Sequence, residues 1–480
     1  MNLREQAIQG IAWTVVTKPF VQVFQYCISI FLARLLTPDD FGLVAMAAVL
    51  TGFAGIFVDL GIGAAIVQQP ELTDSQIRAA FLATIGTGAL LSLLFVLVAP
   101  GVAAFYRREE LVGITRLSSL AFLLSAVGVV PRALLQRQMR LKTLVLLDAL
   151  GTVGSGVAAL LVAHAGGRYW SIVWFSLFGV IGTSIPPLIA CGRYPSGGVD
   201  LRALRPLLRV SLNLLFFNII NYWARNLDNL LIGRTLGDKQ LGVYSRAYQL
   251  MLLPQSQIGG VLAVGVAPAL SRMQDDSERA SRIFLRAQGL IAAVAFPLML
   301  GMAVVADAFV AAVYGPKWAQ VAPLLKILGV AGALQCVVTP AGWIFISSGR
   351  ADILARWGLF TSAAIIAAIS VGAALGSTRS VAVAYLIINA LLFFPELLIA
   401  GKILGVGIRD ILGVLWKPAL CALVMVVTVA ALRVQIPSLW PAWQALLALV
   451  GFGALVYTGL AVAIGIPILR EIRLLRASRL

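Results

Sequence analysis

Apolar runs of about 18–25 residues succeed one another from residue 11 to residue 469, the length at which a helix crosses the hydrocarbon core of a bilayer. Nothing constrains the fold more. A chain of 480 residues, 60% of them hydrophobic and 12% charged, cannot hide that much apolar surface in a soluble core. Period-2 alternation is missing, which argues against a membrane β-barrel. The expected fold class is an all-α polytopic membrane protein with about 14 transmembrane helices. The first falls roughly over 11–35, the second over 41–67, the seventh over 207–233, the twelfth over 381–400 and the last over 443–469.

The formal charge of +17 has to be placed next. With a cytoplasmic N-terminus, the basic stretches 132–142, 192–209, 271–286 and the tail 469–480 all fall on the inner side. Roughly twice as many basic residues then lie inside as outside, the sense that membrane insertion favours. No basic soluble domain supports a nucleic-acid partner; the charge suits anionic membrane lipids instead. Cys27, Cys191, Cys336 and Cys421 occur singly, without metal spacing or an obvious disulfide pair, and no cofactor motif is apparent. His164 falls near a helix end, where a surface role is expected.

The chain also contains itself twice. "FLARLLTPDDFGLV" (31–44) aligns with "LLIGRTLGDKQLGVY" (230–244), so that Arg34 meets Arg234, Leu36 meets Leu236 and Gly42 meets Gly242. Further on, "VAAFY" (102–106) meets "VAAVY" (310–314), Pro131 meets Pro340 and Arg140 meets Arg350. Six helices per copy give two parallel repeats, an arrangement of transporters whose halves rock about a shared site. The expected domains are 1–200, 201–404 and a C-terminal helix pair with its basic tail over 405–480.

"NLLFFNIINYWARNLDNLLIG" (213–233) then poses a problem, because it could span a membrane yet carries much that lipid rejects. On a helix, Asn218, Tyr222, Arg225 and Asn229 share a narrow stripe, with Asn221 and Asp228 flanking it. The repeat-equivalent stripe on the first helix holds Lys18, Gln22, Gln25 and Ser29. A charge at the centre of a lipid-exposed helix costs roughly 2.5–3.5 kcal/mol, so two such stripes imply a shared wet central cleft. Pairing of Arg225 with Asp228, and asparagine hydrogen bonds between helices, are the competing structural reading. Lysine and arginine among amides and hydroxyls suit a phosphate-linked glycan. Asp59, Asp228 and Glu396, the last with Lys402 nearby, are candidates for ion coupling, and structural pairing is the alternative for each.

Seven stretches in order, "LREQAIQGIAW", "LARLLTPDDFGLVAM", "DLGIGAAIVQ", "RALLQRQMRLK", "GRTLGDKQLGVYSRAYQL", "VYGPKW" and "SSGRADI", resemble Wzx-type polysaccharide flippases. The likeness is to the colanic-acid and succinoglycan exporter branch of the multidrug/oligosaccharidyl-lipid/polysaccharide flippase superfamily. It implies two six-helix lobes about a central cavity, and a non-enzymatic transporter of the bacterial cytoplasmic membrane. The implied substrate is an undecaprenyl-pyrophosphate-linked oligosaccharide, moved by alternating access, with polymerase and chain-length machinery as neighbours in the pathway. Its cationic cavity maps here onto Lys18 and Arg225 alone.

Rival classes fit less well. A glycan polymerase needs a large outer loop, and an ATP-driven exporter needs a G-x-x-x-x-G-K-[ST] loop, which the sequence lacks. A cation-coupled multidrug-type antiporter is the nearest alternative, though a basic stripe disfavours cationic cargo. A flippase for the peptidoglycan precursor shares the same physics.

Overall fold

The computed structural model describes residues 3–69, 71–192, 205–271, 277–437 and 439–466, with side chains for all of these except 3–12, 14–16, 18, 205–217, 224, 258–271, 277 and 351. Every regular element among the described residues is helical. In chain order they are α1 (Leu3–Leu35), α2 (Pro38–Asp59), α3 (Ile62–Gln68), α4 (Asp74–Tyr106), α5 (Glu110–Arg137), α6 (Leu141–His164), α7 (Trp170–Cys191) and α8 (Arg205–Leu236). There follow α9 (Asp238–Ser271), α10 (Ser277–Val304), α11 (Ala306–Val313), α12 (Val321–Ser347), α13 (Ala351–Ala374), α14 (Thr378–Leu404), α15 (Ile408–Gln435) and α16 (Ala442–Ala463).

Among the described residues, eleven segments are long and apolar enough to cross a membrane, α2 and α3 together counting as one over Pro38–Gln68. The remaining long helices α1, α8 and α9 have 33, 32 and 34 residues, and α1 is apolar over Pro19–Leu35. The protein is a multi-span helical membrane protein. One loop moves: the stretch 132–142, expected on the inner side as a loop, is largely helix, because α5 runs on to Arg137. Arg132 stays within that helix because Asp148 and the Thr183 carbonyl satisfy its guanidinium.

The chain divides into two compact units, Met1–Gly242 and Val243–Leu480. In the first, α5 packs on α4 and α7, α6 on α7 and α1, and α2 on α5 and α8. Lipid is as apolar as leucine, so these helices gain by close approach rather than by escape from water. Gly151 on α6 and Gly182 on α7 meet backbone to backbone, where a Cβ on either would strike the other. In the second unit, α12 lies against α10 and α14, and α15 joins α10 to α16. Phe284, Ile291, Met299, Val337, Phe345 and Leu397 fill that core, and the Tyr457 hydroxyl on α16 donates to the Ala293 carbonyl at 2.7 Å.

Local chemistry explains the helix ends. In "LTPDDFG", Pro38 supplies the pre-set φ of a first helical position, while the Thr37 N–H and hydroxyl donate to the Asp40 carboxylate at 3.1 and 2.9 Å. The repeat shows in backbone detail as well. α6 and α13 both have 24 residues, and each starts after a repeat-equivalent arginine, Arg140 or Arg350, with ψ near 46–47°. Gly42 and its repeat mate Gly242 make a reciprocal contact: a Cβ at Gly42 would strike Asp238, and one at Gly242 would strike Pro38. The starts of α2 and α9 therefore touch through their backbones, which only glycine allows at this separation.

Candidate functional site

The stripe on α8 separates into a committed part and an available part. Tyr222 is half-buried, and its hydroxyl donates to the Val49 carbonyl of α2 at 2.6 Å, above Gly52. Phe53 packs on this join, with ring centroids 5.9 Å from Tyr222 and 5.0 Å from Trp223. Asn226 turns inward along its own helix and donates to the Tyr222 carbonyl at 2.9 Å. Asp228 is only 4% exposed, and its Oδ1 accepts the Asn229 N–H at 2.7 Å. Asn229 carries a buried Oδ1 that finds no hydrogen-bond donor among the described residues.

Asn218, Asn221 and Arg225 form the other part, and all three are exposed. Arg225 Nε donates to Asn221 Oδ1 one turn back, at 3.3 Å. Among the described residues no ion pair joins Arg225 to Asp228, so the expected alternative of a local pair does not form. Magnitude decides what this means. An interhelical hydrogen bond in a membrane contributes about 0.6 kcal/mol on average. A lipid-facing arginine near mid-membrane costs several times that, about 2.5–3.5 kcal/mol. Arg225 lies about 16 Å from the nearer end of α8, so it needs water or a polar ligand that one 3.3 Å bond to Asn221 cannot replace.

The corresponding helix α1 has three faces. Phe24, Ile28 and Leu32 pack toward α6, where Ala159 and Ala163 leave them room. Phe20, Val23 and Phe31 are exposed at 63%, 61% and 57%, the pattern of a lipid-facing side. Gln22 and Gln25 occupy the third face; Gln22 donates to the Tyr26 hydroxyl at 3.1 Å and Gln25 is exposed. Lys18 is expected on this face from sequence periodicity, and its side chain lies outside the described residues.

The other two candidate coupling acids, Asp59 and Glu396, sit elsewhere. Asp59 closes α2, and its Oδ1 accepts the Gly63 N–H at 2.8 Å across the left-handed pair Leu60 and Gly61, so it holds α3 onto the end of α2. It also lines a cavity of about 460 Å³ with Gln68, Arg132 and Gln136. Glu396, half-buried on α14, lines a second cavity of about 260 Å³ with Gln255, Gln335 and Asn389. Lys402 is exposed, and among the described residues no ion pair joins it to Glu396.

Two polar clusters were not singled out from sequence. Arg132 on α5 grips Asp148 on α6 with both arms of its guanidinium, at 2.6 and 2.9 Å, and also donates to the Thr183 carbonyl of α7 at 2.8 Å. In the second unit, Gln335 on α12 donates to the Tyr385 hydroxyl at 2.6 Å and to Asn389 Oδ1 at 2.8 Å, while the Tyr248 hydroxyl lies 3.3 Å from that of Tyr385. Asp148 in "LVLLDAL" and Gln335 in "GALQCVV", each polar among apolar neighbours, were the available signals.

Known proteins share both this sequence pattern and this fold. The chain belongs to the polysaccharide biosynthesis protein family, which it matches over residues 31–323. It is 28% identical over 400 residues to the teichuronic acid biosynthesis protein TuaB of Bacillus subtilis (strain 168), covering 82% of each chain. It is 26% identical over 443 residues to the lipopolysaccharide biosynthesis protein WzxC of Escherichia coli (strain K12), covering 90% of this chain and 89% of that one. Its fold is shared with the lipid II flippase MurJ in an inward closed conformation, at a TM-score of 0.75 and 14% identity, over 95% of this chain and 98% of the other.

Proposed function

We propose that this protein flips an undecaprenyl-pyrophosphate-linked oligosaccharide across the bacterial cytoplasmic membrane, by alternating access, without catalysing a covalent step. The observation that carries this reading is an exposed arginine, with exposed amides beside it, inside a membrane-length helix of a polysaccharide biosynthesis protein. Arg225 supplies a planar fork for phosphate oxygens, and Asn218, Asn221 and Gln25 supply donors and acceptors that exchange with sugar hydroxyls. The isoprenoid tail stays in lipid while the charged head leaves it, so the protein need only offer a polar route for the head.

Asp228 is read as a positioning residue whose buried charge keeps this part of α8 in place, and Lys18 as a second cation on the route. Asp228, Asp59 and Glu396 remain the candidates for coupling to an ion gradient, the last two each lining a cavity of its own. Both termini are placed in the cytoplasm on the distribution of lysine and arginine between loops.

Leaflet accessibility in proteoliposomes tests the proposal. Lipid-linked oligosaccharide is loaded on one side, and its exposure on the other is followed with a membrane-impermeant glycosidase. Exposure that depends on the protein is expected. Folded protein giving no exposure, with native substrate and both proton and sodium gradients applied, would overturn it.

A further inference from the structure

The second unit contains a crevice whose lining residues have no part in the proposed transport route. It has a volume of about 230 Å³ and lies between α10, α15 and the end of α16. Its walls are Leu285, Leu290, Val414 and Ile466, and two cations, Arg286 and Lys417, line it. Arg286 and Lys417 each stand about 14 Å along their helices from the starts of α10 and α15. Both thus stand level with the end of α16, on the side of the membrane where that helix stops.

A lysine there needs a reason. Its Nζ lies 3.5 Å from the Ile464 carbonyl at the end of α16, a distance at the outer limit of a hydrogen bond. Capping that helix end therefore uses at most one of three ammonium donors, and weakly. The ring of Trp416 lies 5.8 Å from the same ammonium. Trp416 is 51% exposed, and Leu412 and Leu420, one turn to either side on the same face of α15, are 44% and 42% exposed. A cationic crevice with apolar walls thus adjoins an apolar ridge that faces lipid. Basic pockets between membrane helices suit lipid phosphates, and interfacial tryptophans suit the headgroup boundary.

We propose that this crevice binds the phosphate of an anionic phospholipid, with Lys417 and Arg286 on the phosphate and the acyl chains along Leu412, Trp416 and Leu420. On the orientation given above, the lipid belongs to the inner leaflet. None of its residues is assigned to the transported head group, so the proposal stands or falls independently of flipping.

The test uses the full chain purified in dodecyl maltoside, with bound lipid counted by native mass spectrometry. Dioleoyl phosphatidylglycerol, dioleoyl phosphatidylcholine, inorganic phosphate and undecaprenyl phosphate are the probes. Phosphatidylglycerol is expected to bind in preference to phosphatidylcholine, with about a five-fold loss of affinity in Lys417→Met and little change in Lys417→Arg. Equal binding of the two phospholipids by the unaltered protein would overturn the proposal, and needs no variant to fold. So would an unchanged preference in folded Lys417→Met. Displacement of the lipid by inorganic phosphate at similar concentration would assign a phosphate-ion site instead. Tighter binding of undecaprenyl phosphate, lost in the same variant, would assign the crevice to the carrier lipid and not to a phospholipid.

Discussion

Two arginines inside membrane-length helices of the first unit meet opposite ends. Arg132 on α5 spends its guanidinium on Asp148 and the Thr183 carbonyl, through three bonds of 2.6–2.9 Å. Arg225 on α8 has an exposed side chain and a 3.3 Å bond to a neighbour on its own helix. The first is a tie between three helices, since an arginine fork held by a carboxylate and a carbonyl has few donors left for cargo. On the proposed function, the second is held ready for the head group that arrives. Charge inside a membrane span is therefore not one signal but two, and partners tell them apart.

Substitution puts that contrast at risk. Arg132→Ala carries the largest expected effect, about 2 kcal/mol of stability, because it strands Asp148; the figure is reduced from fully buried pairs since both side chains are about one-third exposed. Thermal unfolding in detergent would show it, and adding Asp148→Leu should recover part of the loss. Equal stability of the single variant would remove the distinction between the two arginines. Arg225→Ala should behave the other way, with unchanged unfolding and at least about ten-fold slower flipping, equivalent to about 1.4 kcal/mol in the transport step. Arg225→Lys should fall between, since it keeps charge and loses the fork.

Smaller effects follow in the uncharged regions. Gln335→Leu removes the donor that joins α12 to Tyr385 and Asn389 on α14 and should cost about 1 kcal/mol, read as a lower unfolding temperature. Tyr222→Phe deletes only the hydroxyl's bonds to the Val49 and Ala48 carbonyls, at 2.6 and 3.4 Å, and should cost about 0.6 kcal/mol. A much larger loss in Tyr222→Phe would mean that the α2–α8 join, not Arg225, dominates this part of the molecule.

The sequence made some of this legible and not the rest, for physical reasons. Helix positions could be read because hydropathy is a local property, and the repeat could be read because matches such as Arg34 with Arg234, Gly42 with Gly242 and Pro131 with Pro340 recur in order at a near-constant spacing. The stripe on α8 was visible from helical periodicity alone. What periodicity cannot tell is which member of a stripe meets a neighbour. Tyr222 and Arg225 lie on one face by sequence, yet one hydroxyl is taken by a carbonyl 173 residues away. Gln335 and Asn389 are 54 positions apart and meet only when α12 and α14 pack. Arg132, assigned to a loop by its basic neighbours, is held within α5 by an acid 16 residues on. Tertiary partners convert an expensive residue into a satisfied one, and they leave no local trace.

The most direct measurement is water access along α8. Cys27, Cys191, Cys336 and Cys421 would be replaced, and single cysteines introduced as Asn221→Cys, Arg225→Cys and, on the lipid-facing side of α1, Val23→Cys. Labelling with a membrane-impermeant maleimide in sealed vesicles of both orientations reports which positions meet water. Cysteines at 221 and 225 should label and the one at 23 should not. Failure of position 225 to label from either side, in folded protein, would contradict the claim that Arg225 faces an aqueous route for the head group.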